Sequence, residues 1–325
     1  LGGAAQIATV MLALIVIMFS MERWARGGAK VHNTTGRYRS IPFQDLTGWR
    51  GMLAGAIAML PFVIGFLLPF LQLVRNAVVY AHAGLESGFF TAASNSLILA
   101  AISAAVAVAL ALVIGYARRI DPNPFTNFVA RASGLGYAIP GTVLALGLLI
   151  PLAAFDNAFD AFFRSTFGIS TGLLISGTML ALVLAYAVRF LAVALGSIES
   201  GLERISPNLD AAARALGETS FSALRRVHLP LLLPSLGAGG LLVFVDSMKE
   251  LPATLLLRPF NFETLATHVY SFAALEQFEE AALGALAIVV SGLVPVLLLH
   301  NAVAGGRAGS RRTPRQNIDQ SQPGD

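Results

Sequence analysis

Three ionisable residues lie close together in an otherwise apolar part of the sequence: Asp246, Lys249 and Glu250. In a helix, residues three or four positions apart share a face, so Asp246 can pair with Lys249 while Glu250 lies on the same side. Charged groups at the depth of a lipid bilayer are costly, and they usually line a solute route or brace a helix bundle. The spacing therefore predicts either a pathway or gate, or a purely structural ion pair at the outer interface.

The sequence contains no arrangement of residues that is typical of an enzyme site. It has no cysteine, which excludes disulfide frameworks, thiol catalysis and cysteine-based zinc sites. The histidines fall in loops or at helix ends without metal-ligand spacing, at His32, His82, His228, His268 and His300. The phosphate-binding pattern GxxxxGK followed by Ser or Thr is also absent, so we expect no ATP hydrolysis, no catalytic residue, no cofactor and no metal site in this chain.

The composition is that of a protein dissolved in lipid. Hydrophobic residues make up 56% of the chain and charged residues only 12%, whereas a typical soluble domain has roughly 25% charged residues. The sequence pI of about 9.8 would suggest a nucleic-acid partner in a soluble protein. Here we expect membrane topology to explain the positive charge, and we expect no nucleic-acid partner.

Seven apolar runs are each close to the ~20 residues that a helix needs to cross a bilayer. They lie at about 2–20, 52–74, 94–117, 132–153, 172–195, 231–252 and 282–303. We therefore predict an all-α polytopic membrane protein. Its parts are a first transmembrane helix at 1–20, a basic linker at 21–51, a six-helix domain at 52–304 and a disordered polar tail at 305–325.

Small residues and a proline predict how these helices pack. Residues with small side chains recur every four positions in the second and fourth helices of the domain, which lets backbones approach closely in lipid. These residues are Ser103, Ala107, Ala111 and Gly115, and then Gly177, Ala181 and Ala185. Pro140, in a glycine-rich stretch, predicts a kink or break in the third helix. Such a break either offers backbone groups to a passing solute or serves ordinary packing.

The distribution of positive charge predicts the orientation of the chain. Of the 22 Lys and Arg residues, 17 fall in loops on the same side as the segment 199–230. Four lie on the opposite side, and we expect Arg189, inside a helix, to reach toward the nearer surface. Loops rich in Lys and Arg stay in the cytoplasm, so the 199–230 segment and the C-terminus are predicted to be cytoplasmic.

The segment from Leu209 to Pro230 reads as two short helices. The run from Ala211 to Leu216 consists of strong helix formers, and Gly217 is suited to end that helix in the left-handed conformation. A second helix is predicted from Phe221 to Val227, and Pro230 is predicted to close it. A charged two-helix loop between membrane spans favours a contact with a partner protein.

This segment resembles the so-called EAA loop of ABC importer permeases. The family pattern is Glu-Ala-Ala, three residues, Gly, nine residues, then Ile, any residue, Leu-Pro. Positions that match in register are Ala212, Ala213, Gly217, Leu229 and Pro230, with Val227 where Ile is usual. The usual glutamate falls on Ala211, and an acidic residue stands one place earlier, at Asp210.

The resemblance is strongest to ferric-iron permeases of the fused two-half type, and it also rests on the run from Asp246 to Tyr270. It implies a six-helix type I permease domain in the bacterial inner membrane, preceded by one transmembrane helix. On this interpretation the chain is the C-terminal half of a longer protein, and residues 1–20 are the last helix of the other half. Related permeases for thiamine, phosphonate and polyamines share parts of the pattern.

The resemblance also implies a set of partners. A cytoplasmic ABC ATPase dimer would receive the coupling loop at Asp210, Ala211, Ala212, Ala213, Gly217, Leu229 and Pro230. An extracytoplasmic solute-binding protein would deliver the solute, a second permease half would complete the pathway, and lipid would surround the bundle. Asp246, Lys249, Glu250 and Pro140 would be pathway or gate positions.

Two further alternatives remain open from the sequence. A secondary transporter driven by an ion gradient would need an intramembrane carboxylate, for which Asp246 is the mid-chain candidate. In the segment at about 253–281, acidic residues and His268 suit Fe(III) chemically. A solvated acidic face that contacts a binding protein is the favoured interpretation, because His268 and Glu276 are eight positions apart.

Overall fold

The computed structural model describes residues 46–86 and 88–305, together with a few helical positions between residues 6 and 21. Within this part of the chain, all regular structure is helical. The predicted span at 2–20, most of the linker at 21–51 and the tail after residue 305 lie largely outside the described residues.

The described helices follow one another along the chain without any strand between them. They are α1 (Trp49–Phe62), a π-helical turn (Val63–Leu67), α2 (Leu68–Val79), α3 (Ala81–Glu86), α4 (Phe89–Ile120), α5 (Pro124–Ser133), α6 (Gly141–Phe167), α7 (Met179–Glu203), α8 (Pro207–Ala215), α9 (Ser220–Ala223), a second π-helical turn (Leu224–His228), α10 (Leu229–Met248), α11 (Pro252–Leu257), α12 (Leu265–Ala274) and α13 (Phe278–Gly305).

Six stretches among these described helices are long and apolar enough to cross a membrane. They are Trp49–Val79, Phe89–Ile120, Gly141–Phe167, Met179–Glu203, Ser220–Met248 and Phe278–Leu297. The predicted all-α, six-helix membrane domain is therefore confirmed.

Helices α4, α7 and α10 form the centre of the bundle, where small side chains allow close approach. The predicted stripe on α4 is buried at Ser103, Ala107 and Ala111, and α7 faces it with Ala185, which has 0% exposure. Gly177 does not belong to the α7 stripe, because it lies in the turn before that helix with φ +70. The small residues therefore set the packing of the three central helices.

Two predicted spans are displaced toward the C-terminus. The span predicted at 132–153 is α6, and the break predicted near Pro140 is present between α5 and α6. The helix α5 ends at Ser133, and Pro140 stands as the residue before the first turn of α6. The span predicted at 172–195 is α7, which begins only at Met179.

Two carboxylates on α6 explain why residues 168–178 are not helical. Asp156 is fully buried, and its Oδ2 accepts a hydrogen bond from the backbone N of Ser176 at 2.6 Å. One turn later, Asp160 Oδ1 accepts from the backbone N of Thr171 at 2.7 Å. Backbone N–H groups fixed by side-chain carboxylates are drawn out of a helical conformation, which is a competition that periodicity in the sequence does not reveal.

The prediction that Pro230 ends a helix is wrong, because the helix Ser220–Met248 runs through it. The π-helical turn Leu224–His228 ends two residues before Pro230. Its wider turn moves the carbonyl that the proline ring would otherwise meet in an α-helix. The π-helical turn Val63–Leu67 precedes Pro69 in the same way. The predicted interhelical loop therefore continues without interruption into a membrane-spanning helix.

Candidate functional site

The loop helix α8 has defined caps at both ends. At its start, Ser206 Oγ accepts a hydrogen bond from the backbone N of Asn208 at 3.3 Å. At its end, Gly217 has φ +79, and the backbone N of Glu218 donates to the carbonyl of Ala213 at 3.0 Å. Gly217 thus has the left-handed conformation that the sequence predicts, and it turns the chain from α8 toward α9.

Large apolar side chains project from this loop. Leu216 is 83% exposed and Phe221 is 73% exposed, and Leu209 is exposed on the preceding turn of α8. Ala211 and Ala212 are also exposed. Exposed apolar groups clustered in one loop are typical of a protein contact surface. We call Leu209, Leu216 and Phe221 the apolar loop surface.

The other residues of the loop motif do not belong to this surface. Ala213 is 6% exposed and faces the bundle. Leu229 is half-buried, and Pro230 is exposed further along the continuous helix. Leu229 and Pro230 therefore lie where the loop continues into the membrane-spanning helix.

Asp210 points into the bundle. Its Oδ2 accepts from Arg119 Nη2 at 2.6 Å, and its Oδ1 lies 2.7 Å from Nε2 of the fully buried His228. Burial alone would raise the pKa of Asp210, but the Arg119 guanidinium and His228 outweigh it and hold the pKa below its usual range. These contacts therefore stabilise the fold at neutral pH, and their contribution is lost only as the pH falls below the ordinary aspartate pKa toward the depressed one.

Asp246 and Lys249 form the ion pair that their spacing predicts. Lys249 Nζ lies 2.9 Å from Asp246 Oδ1. The Lys249 side chain is 61% exposed and that of Asp246 17%. The pair thus presents its ammonium group outward from this chain.

Glu250 takes a different partner, and the expectation that Arg189 reaches toward a surface is wrong. Arg189 Nε lies 3.1 Å from Glu250 Oε2, and these side chains are 18% and 6% exposed. Arg189 stands ten residues after Met179, the first residue of α7, which is about 15 Å along the helix axis. Arg189 therefore lies well inside α7, and Glu250, two residues after the end of α10, reaches it there.

Two helix breaks meet at this pair. Arg189 Nη1 donates to the carbonyl of Ile139 at 2.9 Å, at the break between α5 and α6. Glu250 Oε1 accepts from the backbone N of Ala253 at 3.2 Å, at the break between α10 and α11. A Cβ on Gly141 would lie 2.6 Å from Glu250 Oε1 and 3.0 Å from Arg189 Nη1, so the glycine makes room for both charged groups. The pair therefore connects two discontinuous helices.

The acidic segment at 253–281 shows no metal-binding arrangement in the part of the chain that the structure describes. His268 is 3% exposed, and its Nδ1 lies 3.7 Å from Glu263 Oε2. Glu263 also accepts from Arg258 Nη1 at 3.2 Å. The Glu263 carboxylate is thus already engaged by the Arg258 guanidinium.

Sequence reasoning missed the roles of Arg119, His228 and Arg189. Arg119 and Arg189 lie far along the chain from their acidic partners, and His228 lies 18 positions after Asp210, beyond the three- or four-residue spacing that connects residues on one helix face. One signal was available for Arg189, because an arginine near the centre of an apolar helix requires a compensating anion. Arg119 and His228 stand beside other basic residues, so nothing in the sequence singled them out.

Comparisons with known proteins agree with this architecture. A sequence model described as "Binding-protein-dependent transport system inner membrane component" matches residues 119–306, more than half of the chain. The chain is 28% identical over 301 residues to the Fe(3+)-transport system permease protein FbpB 2 of Haemophilus influenzae, which covers 91% of this chain and 56% of that protein. The chain thus spans little more than half the length of this relative.

Other relatives are named for different solutes. The chain is 25% identical over 272 residues to a putative 2-aminoethylphosphonate transport system permease protein, PhnV of Salmonella typhimurium, which covers 79% of this chain and 96% of that protein. A solved bacterial alginate ABC transporter, in complex with alginate pentasaccharide-bound periplasmic protein, matches with a TM-score of 0.58 and 17% identity. That match covers 79% of this chain and 95% of that chain, and it shows a shared fold.

The Arg189–Glu250 pair and the Asp246–Lys249 pair are expected to differ sharply in strength. Arg189→Ala or Glu250→Ala alone should reduce the free energy of unfolding by about 3 to 5 kcal/mol, because each leaves a buried charge without its partner. The double variant should cost clearly less than the sum of the two. Thermal or denaturant unfolding of the purified protein in detergent measures these values as a double-mutant cycle.

Asp246→Ala and Lys249→Ala provide the matched control cycle. Their pair includes a largely exposed side chain, so its coupling energy should be at most about 1 kcal/mol. Equal coupling energies in the two cycles would contradict the assignment of Arg189 and Glu250 as the structural pair.

Proposed function

This chain belongs to the family of binding-protein-dependent transport system inner membrane components, as an ABC importer permease, and we propose that its solute is ferric iron. The Fe(3+) permease aligns over 91% of this chain, more than the 79% covered by the 2-aminoethylphosphonate permease. The match to an iron permease over nearly the whole chain supports iron as the cargo. Phosphonate is the second candidate.

The apolar loop surface supports a contact with a cytoplasmic ATPase dimer. The chain has no phosphate-binding loop, so ATP must be hydrolysed by another subunit. Leu216 and Phe221 are exposed on either side of the Gly217 turn, where a groove on a partner can receive them. This surface is the observation that carries the proposed coupling, and Asp210, Ala211, Ala212, Ala213, Leu229 and Pro230 shape and support it.

The orientation follows from the charge distribution. With 17 of 22 Lys and Arg residues on the α8 side, we place that side and the C-terminus in the cytoplasm. The opposite loops then face a solute-binding protein. A second permease half completes the pathway, and the exposed apolar helices contact that half and lipid.

Lys249 and Asp246 are proposed to line the solute pathway. Lys249 is the residue before Glu250, which pairs with Arg189 inside α7. The Lys249 side chain is 61% exposed. An ammonium group exposed at that depth is unfavourable in hydrocarbon, so it requires a water-filled cavity. The break at Pro140 and the buried Glu250 are proposed as the gate of such a cavity.

The proposed mechanism is rigid-body alternation of access. Closure of the ATPase dimer would move α8, and the continuous helix from Ser220 to Met248 would carry that movement to the charges near its far end. Discontinuous helices around a central site are a recurring way to build such a pathway. The two permease halves would then rock about the solute.

Gly217 provides a test of coupling to the ATPase. No described atom lies within 4 Å of a Cβ added there, so the effect of a substitution arises from φ +79 alone. Gly217→Val should disfavour this conformation strongly, and we expect at least a tenfold loss of ATP-driven uptake with normal amounts of protein in the membrane. Uptake and ATP hydrolysis by the reconstituted complex measure it.

Gly217→Asn is the matched control, because Asn tolerates the left-handed conformation. It should retain most of the uptake. Normal uptake by Gly217→Val would refute the role of this turn, and uptake that collapses with the ion gradient instead of with ATP would favour a secondary transporter.

Because the chain contains no cysteine, single substitutions can report on exposure to water. We expect Lys249→Cys to react with a hydrophilic thiol reagent at least ten times faster than Val113→Cys, which is 66% exposed on a membrane span. Labelling is measured in the assembled transporter, with and without solute. Equal rates for the two variants would remove Lys249 from the pathway.

The solute is tested in proteoliposomes that contain the full transporter and its binding protein. Radiolabelled Fe(III) should accumulate only with hydrolysable ATP, and excess 2-aminoethylphosphonate should not compete. Uptake of labelled 2-aminoethylphosphonate without uptake of iron would contradict the iron proposal and leave the ABC importer assignment intact.

A further inference from the structure

The only acidic residue of α8 is turned away from the surface that a partner would contact. The usual glutamate of the motif is Ala211 in this chain, and its methyl group is exposed. Asp210 instead points toward Arg119 and His228, with its side chain 21% exposed. The Asp210 carboxylate therefore makes its contacts within this chain.

Arg119 connects Asp210 to two membrane helices. It stands in the last turn of α4, and its Nη1 donates to the carbonyl of Leu202 at 2.5 Å, while its Nη2 donates to that of Ile205 at 2.9 Å. The Leu202 carbonyl lies in the last turn of α7 and the Ile205 carbonyl two residues after its end. Carbonyls at the end of a helix have free acceptor capacity. One guanidinium thus fixes α4, α7 and α8 to one another.

His228 connects the same carboxylate to the helix that continues into the membrane. Its Nε2 lies 2.7 Å from Asp210 Oδ1, and its Nδ1 lies 3.0 Å from the carbonyl of Ala223. The ring is fully buried, and it packs edge to face against Tyr116 of α4 with 5.1 Å between ring centroids. The Tyr116 hydroxyl donates to the carbonyl of Ser220 at 2.7 Å. The start of the Ser220–Met248 helix is therefore held from two directions.

From these contacts we infer that Asp210 is a positioning residue that fixes the loop helix α8 to α4 and α10, so that movement of α8 moves both membrane helices. The inference rests on the proposed coupling to an ATPase and adds that the carboxylate at 210 acts within this chain. Without the Asp210 carboxylate, α8 would still present the apolar loop surface. However, α8 could then move without moving α4 and α10.

The test uses the complete transporter, with its ATPase and binding protein, in proteoliposomes. For Asp210→Asn we expect co-purification of the ATPase within twofold of the unsubstituted protein. The amount of solute transported for each ATP hydrolysed should fall at least tenfold. Asp210→Glu keeps the charge and should restore part of that ratio.

Glu218→Gln is the matched control in the same loop. Glu218 contacts Ser222 and Arg226 within its own segment and does not connect α8 to α4. This variant should leave both co-purification and the transport ratio unchanged. An equal loss of the transport ratio in Glu218→Gln would overturn the specific role of Asp210.

The remaining outcomes separate this inference from the proposed function. If Asp210→Asn loses the ATPase while the residual complex transports with a normal ratio, the carboxylate contacts the partner and the inference is wrong. Normal behaviour in both measurements would overturn it as well. If scrambling residues 207–217 does not reduce ATPase recovery, the proposed coupling itself fails.

A second measurement does not depend on assembly with partners. Because the chain has no cysteine, spin labels can be placed at Asn208→Cys on α8 and Asp121→Cys after α4. In detergent, the distance distribution between them should at least double in width in Asp210→Asn, and it should not change in Glu218→Gln. An unchanged width in Asp210→Asn would overturn the inference even if that variant failed to assemble.

Discussion

The ion pair between Arg189 and Glu250 allows this membrane bundle to have an irregular centre. Hydrocarbon offers no water to backbone groups, so helices that stop inside a bilayer need other partners for their carbonyl and N–H groups. Arg189 supplies one to the carbonyl of Ile139, and Glu250 supplies one to the backbone N of Ala253. Each charge neutralises the other, and together they satisfy backbone groups at two helix breaks.

The Arg189–Glu250 pair lies at the far end of a long helix that begins at the loop. The helix Ser220–Met248 contains 29 residues, which corresponds to about 43 Å. It begins beside the Asp210, Arg119 and His228 contacts and ends next to Lys249 and Glu250. The π-helical turn before Pro230 keeps it continuous, so the loop and the centre of the bundle are joined by one element without a flexible connection.

Local patterns in the sequence were enough for most of the architecture. Apolar length predicts the six spans, Pro140 predicts the break, Gly217 predicts the end of α8, and the three-residue spacing predicts the Asp246 and Lys249 pair. The sequence did not reveal contacts between residues 91 positions apart, such as Arg119 with Asp210. Such pairs depend on how helices pack against one another, which no local periodicity encodes. The continuity through Pro230 was missed because propensity disfavours proline within an α-helix and takes no account of a π-helical turn.

The two ion pairs Asp246–Lys249 and Arg189–Glu250 bear on how the proposed pathway would carry a charged solute. Asp246 with Lys249 and Arg189 with Glu250 form two pairs that are each neutral overall. A cage of uncompensated carboxylates would hold a trivalent cation too tightly to release it, whereas conduction requires a site that binds weakly enough for departure. A neutral centre neither traps nor strongly repels a charged solute. On the proposed function, selection among solutes would then come mainly from a solute-binding protein, which fits a family whose relatives are named for Fe(3+) and for 2-aminoethylphosphonate.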